Sequence, residues 1–172
     1  EILMAGYAVI ADDMTGAGDA GVHFAAAGLR TALAWDSAGA AGALENHDAV
    51  ALSTESRFLQ PEAAAEAVAS AVQACRAAGA DRFFKKIDST LRGNLAAEIA
   101  PALRESGHEA VLVCPAMPKT GRTVVDGILL VDGVPVAETE LGRDPFTPVP
   151  HSRIGFLLPG FVNGEVPLAV VR

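Results

Sequence analysis

Runs rich in valine, isoleucine and leucine alternate along the chain with alanine-rich stretches of helical character. Hydrophobic pattern and turn chemistry predict strands at Tyr7–Ala11, Arg30–Ala34, Ala49–Ser53, Arg82–Ile87 and Ala110–Cys114. Helices are predicted at Gly18–Ala27, Pro61–Ala78 and Leu91–Ser106. Pro61 suits the first turn of its helix, and Gly79 and Gly107 stand just past helix ends. The alternation predicts an α/β fold with a mostly parallel central sheet flanked by helices.

After Pro115 the pattern changes. "GILLVDGVPVAET" reads as two extended runs about Asp132-Gly133, a hairpin signal, and the proline-rich "GRDPFTPVPHS" that follows reads as a loop. A C-terminal β-hairpin extension is therefore expected over about residues 116–149. A short helix near Ser152–Leu158 and a strand at Val166–Val171 are expected to finish the chain. Because a core-like strand comes last, residues 1–172 are expected to be a single domain of a longer protein.

Composition narrows the list of partners. With 172 residues, 51% of them apolar and 20% charged, the chain can bury a real core. Its formal charge of −8 leaves no extended basic face, so nucleic acid is not expected as a partner. No apolar run has the length of a membrane span and no signal-peptide pattern opens the chain; no membrane partner and a cytoplasmic location are expected. Cys75 and Cys114 are expected to be buried, unpaired thiols, and the four histidines are too scattered to form a metal site.

The first candidate chemistry lies in "YAVIADDMTGAGDAGVHFAAAGLRTALAWD", Tyr7 to Asp36. Gly16, Gly18 and Gly21 spell G-x-G-x-x-G, and Asp36 ends the second predicted strand where a dinucleotide ribose would be held. Against an NAD-binding reading, Asp12-Asp13-Met14-Thr15 separate the strand from the first glycine. Two carboxylates there would repel a pyrophosphate. Thr15-Gly16-Ala17-Gly18-Asp19 also resembles the anion-hole signature of ribokinase-like sugar kinases, with Asp19 as base, but it stands too early in the chain. A third reading starts from Asp12 and Asp13 at the strand tip. A carboxylate there can orient a sugar hydroxyl and accept its proton, while Thr15 and the Gly16 amide supply donors. The plain alternative is that one aspartate only caps the helix.

A second constellation, "FFKKIDSTLRGN" (Phe83–Asn94), sets Lys85, Lys86 and Arg92 around Asp88, Ser89 and Thr90. Strand alternation sends Lys85 and Lys86 to opposite faces, so one of them at most enters a given pocket. With a helix starting near Leu91 and capped by Ser89 or Thr90, Arg92 would sit in its first turn, where a bound anion would offset an unfavourable dipole interaction. The competing reading is a solvated basic patch on a loop.

"IADDMTGAGDAG", "TESR" (Thr54–Arg57), "FFKKIDSTLRGN", "CPAMPKTGRTVVDG" (Cys114–Gly127) and "DGVPVAETELGRDPFTPV" (Asp132–Val149) follow one another across nearly the whole chain. In that order they resemble the N-terminal domain of the four-carbon acid sugar kinase family. The resemblance implies ATP-dependent phosphorylation of threonate, erythronate or 3-oxo-tetronate type acids. This domain would hold the small-molecule sugar acid, and a C-terminal nucleotide-binding domain absent here would supply most of the ATP site and its Mg2+. No G-x-x-x-x-G-K-[ST] loop occurs in this chain. Carried onto this sequence, the implied site is Asp12, Asp13, Thr15 and Gly16, then Ser56 and Arg57, then Lys86, Asp88, Ser89, Arg92, Gly93 and Asn94, and finally Arg122 and Thr123. Arg92, Lys86 and Arg57 would hold the carboxylate or neutralise the phosphoryl group. One of Asp12, Asp13 and Asp88 would be the base, with Asp13 favoured. A homodimer contact through the hairpin is compatible with its residues but not demanded by them. The competing class is a domain that binds the acid without catalysis.

Overall fold

Four parallel strands form the centre of the computed structural model, which describes residues 6–162 and 164. They are β1 (Gly6–Ala11), β2 (Thr31–Ala34), β3 (Ala49–Ser53) and β4 (Ala80–Lys86), ordered β2-β3-β1-β4. The helices between and after them are α1 (Met14–Ala26), α2 (Ser37–Leu44), α3 (Pro61–Ala77) and α4 (Leu95–Ser106). Pleating sorts the strand residues onto two faces. Ala8, Ile10, Val50 and Leu52 pack against Ala40 of α2 and Val68, Val72 and Cys75 of α3. Val9, Ala11 and Ala51 pack instead against Ala17 and Ala20 of α1. Each fully buried branched side chain contributes about 1.5–3 kcal/mol of burial free energy. Gly21 permits the close approach on the α1 face, since a Cβ there would lie 3.3 Å from the Ala51 methyl. With α1 on one face and α3 on the other, the carboxyl ends of β1, β3 and β4 border a crevice, the usual ligand position in such sheets.

The extension is a second, antiparallel sheet of β5 (Arg122–Val125), β6 (Ile128–Val131) and β7 (Val134–Pro135). Its turns are both Asp-Gly. Asp126 and Gly127 have φ of 49° and 72°, and Asp132 and Gly133 have 50° and 83°, positive at both central positions as tight hairpins require. Leu129, Val136, Val149, Ile154 and Leu158 pack against Leu91, Leu95 and Ile99, which ties the extension to α4.

Several expectations change. Ala110–Cys114 is not a strand: Val111 and Leu112 are exposed, and among the described residues nothing pairs with the outer edge of β4. Strand-forming residues become a strand only when a backbone edge is within reach. The fourth helix begins at Leu95, not Leu91, because Leu91 (φ 64°) and Gly93 (φ 93°) are left-handed and cannot continue a helical turn. The cap expected from Ser89 or Thr90 is therefore absent, and Arg92 precedes the helix. α1 starts at Met14, four residues earlier than expected, and α2 and the first hairpin were not anticipated. Cys75 is buried, whereas Cys114 is exposed. The strand expected at Val166–Val171 lies outside the described residues. Among the described residues no helix is long and apolar enough to cross a membrane.

Candidate active site

Asp12 and Asp13 leave the end of β1 in different directions. Asp13 caps α1: its Oδ1 accepts from the Gly16 amide at 2.7 Å. Its other oxygen lies 2.6 Å from the Arg57 guanidinium. Asp12 is buried beneath and takes the rest of that guanidinium, accepting from Nε at 2.8 Å and from Nη2 at 3.1 Å. One arginine thus clamps both carboxylates. Burial works against the charge on Arg57, but the bonds to Asp12 and the field of Asp12, Asp13 and Asp88 hold it on, and its pKa is raised. Gly93 permits this packing: its backbone is left-handed, and a Cβ there would sit 3.2 Å from the Arg57 Cγ and 3.5 Å from Asp12 Oδ2.

Beyond β4 the chain makes a second charged pair. Asp88 accepts from Arg92 Nε at 2.8 Å and from the Thr90 hydroxyl. Burial alone would raise the Asp88 pKa, yet the donors Arg92 and Thr90 outweigh it and hold the carboxyl at about 2. Arg92 is raised chiefly by its bond to Asp88, and Asp144 of the extension lies close enough to add to the effect. Lys86 is different. Its ammonium donates to the Ile87 carbonyl at 2.9 Å and, among the described residues, has no carboxylate in ion-pair range. It lies beside Gly16 at the start of α1, 3.6 Å from where a Gly16 Cβ would be.

These groups share one cleft of about 960 Å³ between the ends of β1 and β4 and the segment 110–117. Asp13, Thr15, Gly16, Arg57, Lys86, Asp88, Ser89 and Arg92 all line it, so the two constellations converge as expected. Asp12 lies under its floor. Ser56 and Asn94 do not line it. Ser56 is fully buried, and the Asn94 amide donates to the Ser56 and Leu59 carbonyls, which fixes the loop after β3. Arg122 and Thr123 lie on β5 and are not among the lining residues. The Arg122 Nε is buried and has no hydrogen-bond partner among the described residues. Asp36, the candidate ribose ligand, caps α2 by accepting from the Gly39 amide at 2.7 Å.

Sequence reasoning missed the partner of Lys85. Strand alternation does not keep the lysines in separate pockets, since both line the cleft. What differs is the partner, Lys85 Nζ lying 2.7 Å from Glu98 Oε2 on α4. The sequence signal was the lone acidic residue in the first turn of α4. Among the described residues no three histidine, cysteine or carboxylate side chains gather as a metal cage.

A family profile described as a sugar-binding N-terminal domain matches residues 7–172. Among curated relatives, a D-threonate kinase of Bordetella bronchiseptica is 46% identical over 154 residues, covering 87% of this chain and 38% of its own length. A D-erythronate kinase of Heliobacterium modesticaldum is 38% identical, covering 98% of this chain and 39% of its own. The chain thus spans under two fifths of either relative. A crystal structure from Bordetella bronchiseptica, a domain-swapped dimer with bound citrate, superposes with a TM-score of 0.84 at 42% identity. That match covers 95% of this chain and 43% of the solved one.

Proposed function

The chain belongs to the family of sugar-binding N-terminal domains found in four-carbon acid sugar kinases, and from that premise we propose that it holds a threonate, erythronate or 3-oxo-tetronate type acid for phosphorylation by ATP. The observation that carries the reading is Lys86, a cleft cation beside the start of α1 with no carboxylate partner among the described residues. A helix start and an ammonium with no carboxylate partner among the described residues together suit a small anion. In this reading the substrate carboxylate docks on Lys86, with the Thr15 hydroxyl as a further donor. Asp13, held by the Gly16 amide and Arg57, orients the reacting hydroxyl and takes its proton as the oxygen bonds to phosphorus and the ADP oxygen departs. Arg92, half-buried at the rim, neutralises charge on the transferred group.

The nucleotide comes mainly from a C-terminal domain beyond this chain, a reading supported by the relatives' greater length. With no cage of side chains for it among the described residues, magnesium would come with the nucleotide, whose phosphates supply its ligands. The citrate in the Bordetella structure is itself a small carboxylic acid, and that protein's dimer supports a homodimer here. A cytoplasmic location fits such a metabolic role.

The test is ADP release by the full-length parent with each of the three acids. Lys86→Met should raise KM for the acid by about tenfold or more, the loss of one charged hydrogen bond, and leave KM for ATP unchanged. Saturable acid binding with no ADP release would favour the non-catalytic reading. No binding of any of the three acids would refute both.

A further inference from the structure

Lys85, in the wall of the cleft, belongs to a buried ion pair that the proposed reaction does not use. Glu98 on α4 and Lys85 on β4 pair at 2.7 Å, with side chains 4% and 7% exposed. The second Glu98 oxygen accepts from the hydroxyl of Ser56 at 2.8 Å. The Thr54 hydroxyl, 2.7 Å from that of Ser56, also reaches the Ala11 carbonyl at 2.9 Å. A buried ion pair is seldom more stabilising than apolar residues of the same size, so stability gives little reason for this one.

Its connections give a better reason. The Ser56 and Arg57 amides both donate to the Asp12 carbonyl, at 3.0 and 3.3 Å, so moving Ser56 moves the arginine clamp and the carboxylates it holds. On the other side the Lys85 ammonium donates to the Lys86 carbonyl at 2.9 Å, which fixes the backbone that carries Lys86. Glu98 therefore joins α4, the loop after β3 and the end of β4 at one point. A displacement of about 1 Å between reacting groups costs roughly a hundredfold in rate.

We propose that Glu98 and Lys85, acting through Ser56, are positioning residues that set where Arg57 and Lys86 stand relative to each other. Ser56, expected to contact substrate, acts from behind the site. The inference rests on the kinase reading, and its test separates the two. In the full-length parent, Lys85→Met combined with Glu98→Leu replaces the pair by apolar residues of similar size. A merely structural pair would then leave both melting temperature and kcat/KM near wild type. Positioning predicts a melting temperature within a few degrees of wild type but kcat/KM for the acid lower by about tenfold to a hundredfold. Should the double variant not fold, Ser56→Ala is expected to fold and to lose about tenfold in kcat/KM. Wild-type kcat/KM in whichever of these variants folds would overturn the proposal. A second readout needs no turnover. In the 172-residue chain the Arg57 Nε–H, bonded to buried Asp12, should exchange slowly with solvent by NMR, and both variants should speed it. An inactive wild-type parent would refute the kinase reading alone, and unchanged Arg57 exchange in the variants would still refute positioning.

Discussion

Asp88 offers a direct measurement of the electrostatics that shape the cleft. Its carboxyl drops from 3.8 to about 2 on folding because Arg92 and Thr90 donate to it. The folded form binds its proton less readily than the unfolded chain, so the contribution is fully present above the unfolded pKa and is lost as pH falls through the folded one. At 1.36 kcal/mol per pH unit the difference is about 2 kcal/mol at pH 6, falling to about half by pH 3. Asp88→Asn replaces the carboxylate by a near-copy of its protonated form. Urea denaturation of both proteins across pH 6 to 2.5 should give a stability gap of about 2 kcal/mol that narrows as the pH falls. Other lowered carboxyls, Asp48 and Glu105, have partners away from Arg92, titrate in both proteins and cancel in the difference. A gap that stayed constant with pH would show that the Arg92 bond does not depend on the Asp88 charge, and the argument would fail.

Arg57→Met strands the buried Asp12 carboxylate and releases Asp13; the loss should be about 3 kcal/mol, a fall in melting temperature of roughly 6–12 °C. A shift under 2 °C by calorimetry would contradict the clamp. A thiol reagent at pH 8 should label Cys114 quickly and Cys75 only on unfolding, because burial pushes the Cys75 thiol up to about 11. Two equally fast thiols would refute that assignment, and Cys114→Ser should remove the fast phase.

The sheet was legible because its signal is local. Val9 and Ile10, and Val50 and Leu52, need only be apolar and flanked by turns to be read as buried strands. The lower contrast of "DSAGAAGAL" hid α2: small residues give a helix no marked apolar face, and only the Asp36 cap betrays it. Asp36 also shows why a motif cannot stand for a site, since its side chain serves the Gly39 amide of the next helix. The second Asp-Gly was visible at Asp126-Gly127, and its left-handed pair of residues marks the first hairpin as clearly as Asp132-Gly133 marks the second.

The cleft was legible in part of its lining and not in its pairings. Residue types and their places after strand ends were enough to bring Asp13, Lys86, Asp88 and Arg92 to one cleft. Which cation answers which carboxylate depends on backbone turns that no spacing rule reports. The left-handed Leu91 and Gly93 delay α4 by one turn, and Arg92 then folds back onto Asp88 instead of entering the helix. The left-handed Gly93 also packs against the Arg57 stem where that arginine spans Asp12 and Asp13. Arg57, Lys85 and Arg92 of the cleft are engaged by the protein's own carboxylates, whereas Lys86 has no carboxylate partner among the described residues, which is what the proposed reading uses. A domain with every cation so engaged would have little to offer a sugar acid. One whose cations were all free would strain its own fold by like-charge repulsion.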